Sequence, residues 1–369
     1  MDKVRISPKQ MFALMILFEF GTAIIIHIGL EANHVIWLST LFAIPGGMLL
    51  YSLYNYLFRE YPNLILSGYM RRILGSYAAW PLCLFMIGYF MYNASRNLRE
   101  AGDLLVASVY DETPLPVINL AMIMIVIYVL GKGTEVFFRT AQLYLFIIAV
   151  IGGIGFLVLL CSGVLDWGQL WPYGKGDWLS ALRSAYPSIM LFPFGELICF
   201  ATVLPVLENK QAAGRAGLTA IAVSGVILAF AHALQIAVLG ESVYQRSTFP
   251  LLSAISIVDI ADFLQRLDAL VMLTLIICVF FKMSMYCYAV VAMTADLFRL
   301  PSGEMLAAPV GSTVFFLSLF AAASFPEHEN EGKLSSMPLL FLVSVAIPLL
   351  LAIVHLSKKT LFPKKQGGA

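Results

Sequence analysis

The sequence predicts an all-α polytopic membrane protein with about ten transmembrane helices. Of its 369 residues, 60% are hydrophobic and only 12% are charged, which is about half the charged fraction of a soluble domain. The mean hydropathy is +0.87. No polar stretch is long enough to fold alone, so we predict one integral membrane domain over residues 1–369 that contacts lipid and not nucleic acid.

Ten apolar segments have the length that crosses a bilayer, which is about 20 residues. They are residues 9–30, 35–57, 80–106, 115–131, 137–162, 184–207, 214–239, 265–294, 306–325 and 337–356. The first lacks a small-residue cleavage site, so we read it as a retained span and not as a signal peptide. Residues 59–79 are too polar to span, and they predict a surface loop with a short amphipathic helix.

Lysine and arginine residues indicate the orientation of the chain. With the N-terminus in the cytoplasm, 15 of the 23 basic residues lie on the cytoplasmic side, 5 lie outside and the other three fall within spans. Basic residues favour cytoplasmic loops. Both termini are therefore expected in the cytoplasm, with residues 357–369 as a basic tail.

The order of the segments predicts two repeats of opposite orientation, residues 1–162 and 163–356. Each repeat holds five segments, and an odd number inverts the second repeat. The first segment of each carries the pattern Phe-x-Phe-Gly, at residues 18–21 and 192–195. Glycine and proline are poor helix formers. We therefore expect helices 1 and 6 to be discontinuous, as in inverted-repeat transporters.

Acidic residues lie near mid-depth of both expected breaks, Glu19 in the first and Glu196 in the second. Unwound backbone in a membrane is tolerated where it binds a ligand, water or an ion. The predicted ligand-binding residues here are Gly21, Thr22, Phe194, Gly195 and Glu196. Two alternatives stay open, since the glycines could instead allow close helix packing and Glu196 could relay a proton or pair with a base.

The third segment combines charged pairs with a polar stripe. Arg96 with Glu100, and Arg99 with Asp103, have the i,i+4 spacing of ion pairs on one helix face. We expect these four charges to neutralise each other. The stripe consists of Tyr89, Asn93 and Asn97. It could line a polar cavity, with Asn93 and Asn97 as ligand contacts, or bond to neighbouring helices.

The eighth segment carries Lys282 within its apolar run, too deep to reach the membrane surface easily. It needs an acceptor, for which Glu196 and Glu19 are the candidates. By analogy with transporters in which a lysine replaces a sodium ion, the site is expected to be proton-linked or ion-independent. Ser284 and Tyr288 share one helix face and are further ligand candidates.

The chain shows no pattern of an enzyme, a cofactor site or a metal site. It has no phosphate-binding loop, no metalloprotease motif and no dinucleotide fingerprint. Its five histidines do not cluster, and its five cysteines do not have metal-ligand spacing. We therefore predict a binding or transport protein without a cofactor.

Several local sequences resemble one family of bacterial membrane proteins. They are Ile6-Ser7-Pro8-Lys9-Gln10 before the first segment, Tyr61-Pro62, Pro193-Phe194-Gly195-Glu196, Arg266-Leu267-Asp268-Ala269 and Lys282. Together they resemble the B subunit of the nutrient germinant receptors of endospore-forming bacteria, the spore germination permease family. The resemblance covers essentially the whole chain.

The resemblance implies a fold and a function. The family is similar to the amino acid–polyamine–organocation transporters, which implies a LeuT-like fold. It implies a germinant-sensing subunit in the inner spore membrane, working with an A subunit and a C subunit lipoprotein. A small nutrient such as an amino acid would bind between helices 1, 3, 6 and 8. The resemblance carries the ligand role to Gly21, Gly195, Glu196, Ser284 and Tyr288, while Arg266 and Asp268 are expected to form a structural pair or a gate contact.

Three other functions are compatible with the sequence. A proton-coupled amino acid transporter would have the same architecture, with Glu196 or Lys282 as the coupling residue. An ion or water conduit could be lined by Glu19, Glu196 and Lys282. An inert structural partner is the third possibility, although it leaves these buried charges without a purpose.

Overall fold

The computed structural model describes residues 5–25, 30–171, 174–257, 267–320 and 337–361, and these are mostly helical. The α-helices are α1 (Pro8–Phe20), α2 (Ile36–Glu60), α3 (Leu66–Leu74), α4 (Ser76–Ser108), α5 (Leu115–Gly131), α6 (Thr134–Cys161), α7 (Lys175–Ser184), α8 (Ala213–Tyr244), α9 (Pro250–Ser256), α10 (Leu267–Phe298), α11 (Ala307–Phe320), α12 (Met337–Phe341) and α13 (Ile347–Leu361). Short 3₁₀ helices span Leu30–Val35, Trp167–Leu170, Phe194–Thr202, Leu204–Val206, Lys210–Ala212 and Glu304–Leu306, and π-helical turns span Ala185–Ile189 and Leu342–Ala346.

The predicted all-α polytopic fold is confirmed. In the described ranges, six helices are long and apolar enough to cross a membrane, and two shorter ones are also apolar. The long helix α4 and the buried helix α1 lie where the third and first spans were expected. Arg266, the end of the ninth predicted segment and residues 362–369 of the predicted tail lie outside the described residues.

Helix 1 is discontinuous, as predicted from its glycine. Ser7 caps the start of α1, because its hydroxyl accepts from the amide of Gln10 at 3.2 Å and its own amide donates to the Gln10 side chain at 2.9 Å. The helix ends at Phe20, and the amide of Gly21 donates to the carbonyl of Leu17. The chain then turns up to Ile25 instead of continuing as a helix.

Helix 6 is also discontinuous, but it begins earlier than predicted. Its first half is α7 with the π-helical turn Ala185–Ile189, and its second half is the 3₁₀ helix Phe194–Thr202, with the break before Phe194. Residues 163–183, which separate the fifth and sixth predicted segments, therefore include most of α7. Asp177 accepts from the amide of Gly174 at 3.1 Å and caps the start of α7.

The polar segment after helix 2 forms the predicted amphipathic helix, α3. Its apolar side is buried against α4, α10 and α13, so it packs on protein and not only on a membrane surface. Arg71 of α3 lies 2.6 Å from the carboxylate of Asp296 on α10. Helix α4 begins at Ser76, which is earlier than the predicted residue 80.

Hydrogen bonds join distant segments at both ends of the bundle. At the end where α1 begins, called the near end here, Ile6 forms an isolated parallel bridge with Leu207. The amide of Ile6 donates to Val206 at 3.2 Å, and the amide of Glu208 donates to Ile6 at 3.0 Å. At the opposite, far end, Nδ1 of His34 lies 3.1 Å from Oε2 of Glu241. Helices 1 and 6 are therefore tied to each other at the near end.

The centre of the bundle is built around α1. This helix packs against α6, α8 and α10, and nearly all of its side chains after Gln10 are buried. By contrast, α6 leaves most of its apolar side chains exposed or half-buried, as expected of a helix that faces lipid. The broken ends of helices 1 and 6 thus lie inside the protein and not at its lipid-facing surface.

Candidate ligand site at the two helix breaks

Lys282 connects the two broken helices at the centre of the bundle. Its Nζ lies 2.6 Å from Oε2 of Glu196, which follows the break in helix 6. The same Nζ donates to Oγ1 of Thr22, just after the break in helix 1, at 3.1 Å. Lys282 is fully buried, and Glu196 and Thr22 are exposed by 3% and 2%. One cation therefore binds groups that both breaks place in the interior.

Two aromatic rings lie over the same ammonium. The Nζ of Lys282 lies 4.5 Å from the ring centroid of Phe192 and 5.2 Å from that of Phe18. A desolvated cation gains stability over the face of an aromatic ring. Phe18 and Phe192 are the first residues of the two Phe-x-Phe-Gly patterns, so the two copies of the pattern meet on one side chain.

The second acidic residue, Glu19, takes no part in the ion pair with Lys282. It is fully buried in the last turn of α1. Neither of its carboxylate oxygens has a hydrogen-bond partner among the described residues. Of the two candidate acids, Glu196 is therefore the one that pairs with Lys282. Each of these two buried charges is balanced by the other, as a buried charge requires.

Gly21 allows α10 to approach the first break closely. A Cβ atom added there would meet the side chain of Lys282, with the Lys282 Cβ at 2.9 Å and Cδ closer still. Any larger residue must push the lysine side chain away. The predicted importance of Gly21 therefore has a physical basis in the path of the Lys282 side chain.

Phe194 and Gly195 pack against neighbouring helices. A Cβ added at Gly47 would lie 2.6 Å from Phe194, so the ring fills the space that this glycine leaves on α2. A Cβ on Gly195 would meet Oγ of Ser344 at 3.0 Å. The hydroxyl of Tyr54 lies 2.6 Å from the Ser344 carbonyl and 3.2 Å from that of Gly195. These contacts agree with the alternative that Gly195 allows close helix packing. The predicted role of Phe194 and Gly195 in ligand binding stays a prediction.

The asparagines on α4 are buried and bond to their own helix. Nδ2 of Asn93 donates to the carbonyl of Tyr89 at 2.9 Å, and Nδ2 of Asn97 donates to that of Asn93 at 2.7 Å. Oδ1 of Asn97 has no partner among the described residues. It is thus a buried acceptor that a ligand donor would satisfy.

The two predicted ion pairs of α4 are confirmed. Arg96 lies 3.6 Å from Glu100, and Arg99 lies 2.9 Å from Asp103. All four side chains are largely buried.

Ser284 and Tyr288 lie on a different face of α10 from Lys282. Positions two residues apart on a helix point about 200° away from each other. Tyr288 lines a cavity of about 280 Å³ near the loop between α5 and α6, together with Thr134 and Gly303. Ser284 is fully buried, and its Oγ has no partner in the described ranges. The structure therefore does not bring these two residues together with Lys282 and Glu196.

Tyr286 is the aromatic residue of α10 that faces the breaks. It follows Lys282 by four residues, and its ring centroid lies 5.2 Å from that of Phe18 and 6.0 Å from that of Phe90. Sequence reasoning missed Tyr286, Phe18 and Phe192. The i,i+4 spacing from Lys282 and the first position of each repeated pattern were the signals that could have found them.

Comparison with known proteins shows the family. The family model described as spore germination protein matches residues 5–326, which include both breaks and Lys282. The chain belongs to this spore germination family. It is 36% identical to spore germination protein KB of Bacillus subtilis (strain 168) over 369 residues, covering all of this chain and 99% of the relative. The expected resemblance to the spore germination permeases is thereby confirmed.

A solved structure confirms the fold of this spore germination family member. The structure of Mhp1, a nucleobase-cation-symport-1 family transporter in a closed conformation with bromovinylhydantoin bound, has a TM-score of 0.62 with it at 13% identity. The match covers 97% of this chain and 79% of Mhp1. The predicted LeuT-like arrangement with broken helices 1 and 6 is therefore confirmed, and the family and the fold are those of a permease-like membrane protein, not of an enzyme.

Proposed function

We propose that the chain is the nutrient-sensing subunit of a spore germination receptor. A small nutrient, most simply an amino acid, binds between α1, α4, the 3₁₀ helix Phe194–Thr202 and α10. The observation that carries the proposal is the convergence of both helix breaks on Lys282, whose Nζ contacts Thr22 at 3.1 Å and Glu196 at 2.6 Å. Such breaks in a transporter fold place binding groups at mid-membrane.

An amino acid has the charges that would replace the internal ion pair. Its carboxylate would bind Lys282 and the amides near Gly21 and Thr22. Its ammonium would bind Glu196 and the carbonyls near Gly195. The direct contact between Lys282 and Glu196 would be lost, which separates α10 from helix 6. Asn93 and Asn97 would bind the remaining polar groups, whereas Ser284 and Tyr288, which face away from Lys282, would not contact the ligand.

Signalling follows from a shift between conformers. The ion pair is sealed from solvent, since Lys282 is fully buried and Glu196 is 3% exposed. A ligand that binds an open conformer more tightly shifts the equilibrium toward it. The change would be passed to the A subunit and to the C subunit lipoprotein. We place the receptor in the inner membrane of the spore with both termini in the cytoplasm.

Spores that carry Gly21→Leu in this subunit test the proposal. The leucine displaces Lys282, so the response to nutrients should be lost while immunoblots show normal amounts of the subunit. Gly152→Leu on α6 is the matched control, because a Cβ at Gly152 meets nothing within 4 Å. Purified wild-type chain in lipid nanodiscs should bind at least one amino acid saturably. An unimpaired response in Gly21→Leu spores would overturn the proposal.

A proton-coupled amino acid transporter is the second candidate function. The match of 97% of this chain to the transporter fold of Mhp1 is the observation that favours it. Sealed proteoliposomes that contain only this chain distinguish the two functions. Accumulation of labelled amino acids that depends on a proton gradient would identify a transporter. Saturable binding without accumulation would support the sensor.

A further inference from the structure

The carboxyl group of Glu19 lies in a setting that disfavours a negative charge. The side chain is fully buried, and neither oxygen has a hydrogen-bond partner among the described residues. An isolated carboxylate in an apolar interior is strongly disfavoured and takes up a proton instead. The residue also lies in the last turn of α1, where the partial negative charge of the helix end disfavours an anion.

The nearby cation is already neutralised. Lys282 runs past the end of α1 beside Glu19, because its Cβ lies 2.9 Å from the Cβ position of Gly21 and its Nζ lies 5.2 Å from the ring centroid of Phe18. Lys282 forms its close ion pair with Glu196 and donates to Thr22. Two carboxylates facing one ammonium would leave one net negative charge in a region without solvent.

The other titratable groups around α1 do not provide a second positive charge that could balance an ionised Glu19. The buried titratable residues on the elements packed near it are Cys199 on the 3₁₀ helix of helix 6, Cys278, Tyr286 and Cys287 on α10, and His232 and Tyr244 on α8, while Tyr144 on α6 is half-buried. Cysteine and tyrosine are neutral or anionic, so they cannot balance a carboxylate. His232 has interactions of its own.

We infer that Glu19 is a proton-binding site, which holds its proton while the bundle is closed. Lys282 and Glu196 keep their contact beside it. When the breaks open and water reaches the end of α1, the carboxyl group is solvated and releases the proton. The closed conformer therefore binds one proton more than the open conformer, and acid favours the closed bundle.

Infrared spectroscopy of the full chain in nanodiscs at neutral pH tests the bound proton. The C=O band of a protonated carboxylic acid should be present, lost in Glu19→Gln and retained in Glu135→Gln, whose side chain is exposed on α6 beside Arg139. If Glu19→Gln does not fold, Glu19→Asp in chain labelled with ¹³C-carboxyl glutamate should remove the labelled band. A spectrum without this band, or a band lost only in Glu196→Gln, would overturn the inference.

Amide hydrogen exchange tests the linkage to opening, without any nutrient. The exchange rates are first corrected for the intrinsic effect of pH. The protection of residues 194–202 in the wild type should then fall by up to about tenfold for each unit by which the pH is raised. It should not depend on pH in Glu19→Gln, nor in α5 of either protein. The same pH dependence in Glu19→Gln would overturn the linkage. Because no nutrient is added, these results stand or fall independently of the proposed sensing function.

Discussion

Nζ of Lys282 lies 2.6 Å from Oε2 of Glu196, and the two side chains are exposed by only 0% and 3%. The pair joins α10 to the broken helix 6 in the interior of the bundle. Removing one member of a buried pair leaves an uncompensated charge, whereas removing both does not. This asymmetry makes the contact directly testable.

Lys282→Met should destabilise the protein by about 3–5 kcal/mol, because Glu196 is left without its cation. The double variant Lys282→Met/Glu196→Gln should recover most of this loss. Thermal unfolding of the detergent-solubilised chain measures both effects. Losses that simply add in the double variant would show that the two residues are not coupled.

Gly217→Ala on α8 should destabilise the protein by about 1–3 kcal/mol through overpacking. An added Cβ would overlap the ring of Tyr51, whose hydroxyl donates to the carbonyl of Ala213 at 3.0 Å. Gly88→Ala on α4 is the control, since nothing lies within 4 Å of a Cβ there. This control should be neutral or stabilising by up to about 1 kcal/mol in the same thermal assay. Similar losses in both variants would contradict the packing argument.

Arg71→Met should lower the free energy of unfolding by about 1–3 kcal/mol, because it removes a charged hydrogen bond to Asp296. Asp296 also accepts from the hydroxyl of Ser67, so the carboxylate fixes α3 to α10. The adjacent Arg72 is exposed. Arg72→Met should therefore change stability by less than about 0.5 kcal/mol. Equal effects of the two substitutions on the unfolding temperature would argue against the Asp296 contact.

Tyr286→Leu should impair both stability and nutrient binding more than Tyr288→Leu. Tyr286 packs on Phe18 and Phe90 beside the two breaks, whereas Tyr288 borders the cavity near Gly303. Truncation of a packed aromatic side chain to alanine costs about 3–5 kcal/mol, and the larger leucine side chain should cost less than this. Thermal unfolding and amino acid binding in nanodiscs measure the two effects. A larger loss of binding in Tyr288→Leu would contradict this prediction. It would indicate that the ligand contacts the face of α10 that carries Ser284 and Tyr288.

Features that depend on local sequence were predictable. The apolar segments follow from length and hydropathy, because a helix must satisfy its own backbone in lipid. The breaks near Gly21 and Pro193 follow from the poor helix propensity of these residues. The pairs of α4 follow from i,i+4 spacing. The early start of helix 6 was missed because hydropathy identifies only the apolar part of a helix, and α7 carries the charged residues Lys175, Asp177 and Arg183.

By itself, the sequence determined an all-α membrane protein with two broken helices, an acid at each break and a lysine in the eighth span. Only the tertiary structure decided that Lys282 pairs with Glu196, that Glu19 has no partner among the described residues, and that Tyr286 faces the breaks instead of Tyr288. The reason is physical. Hydropathy and spacing act along one helix, whereas these contacts depend on how far each helix is rotated and how closely it approaches helices distant in the chain.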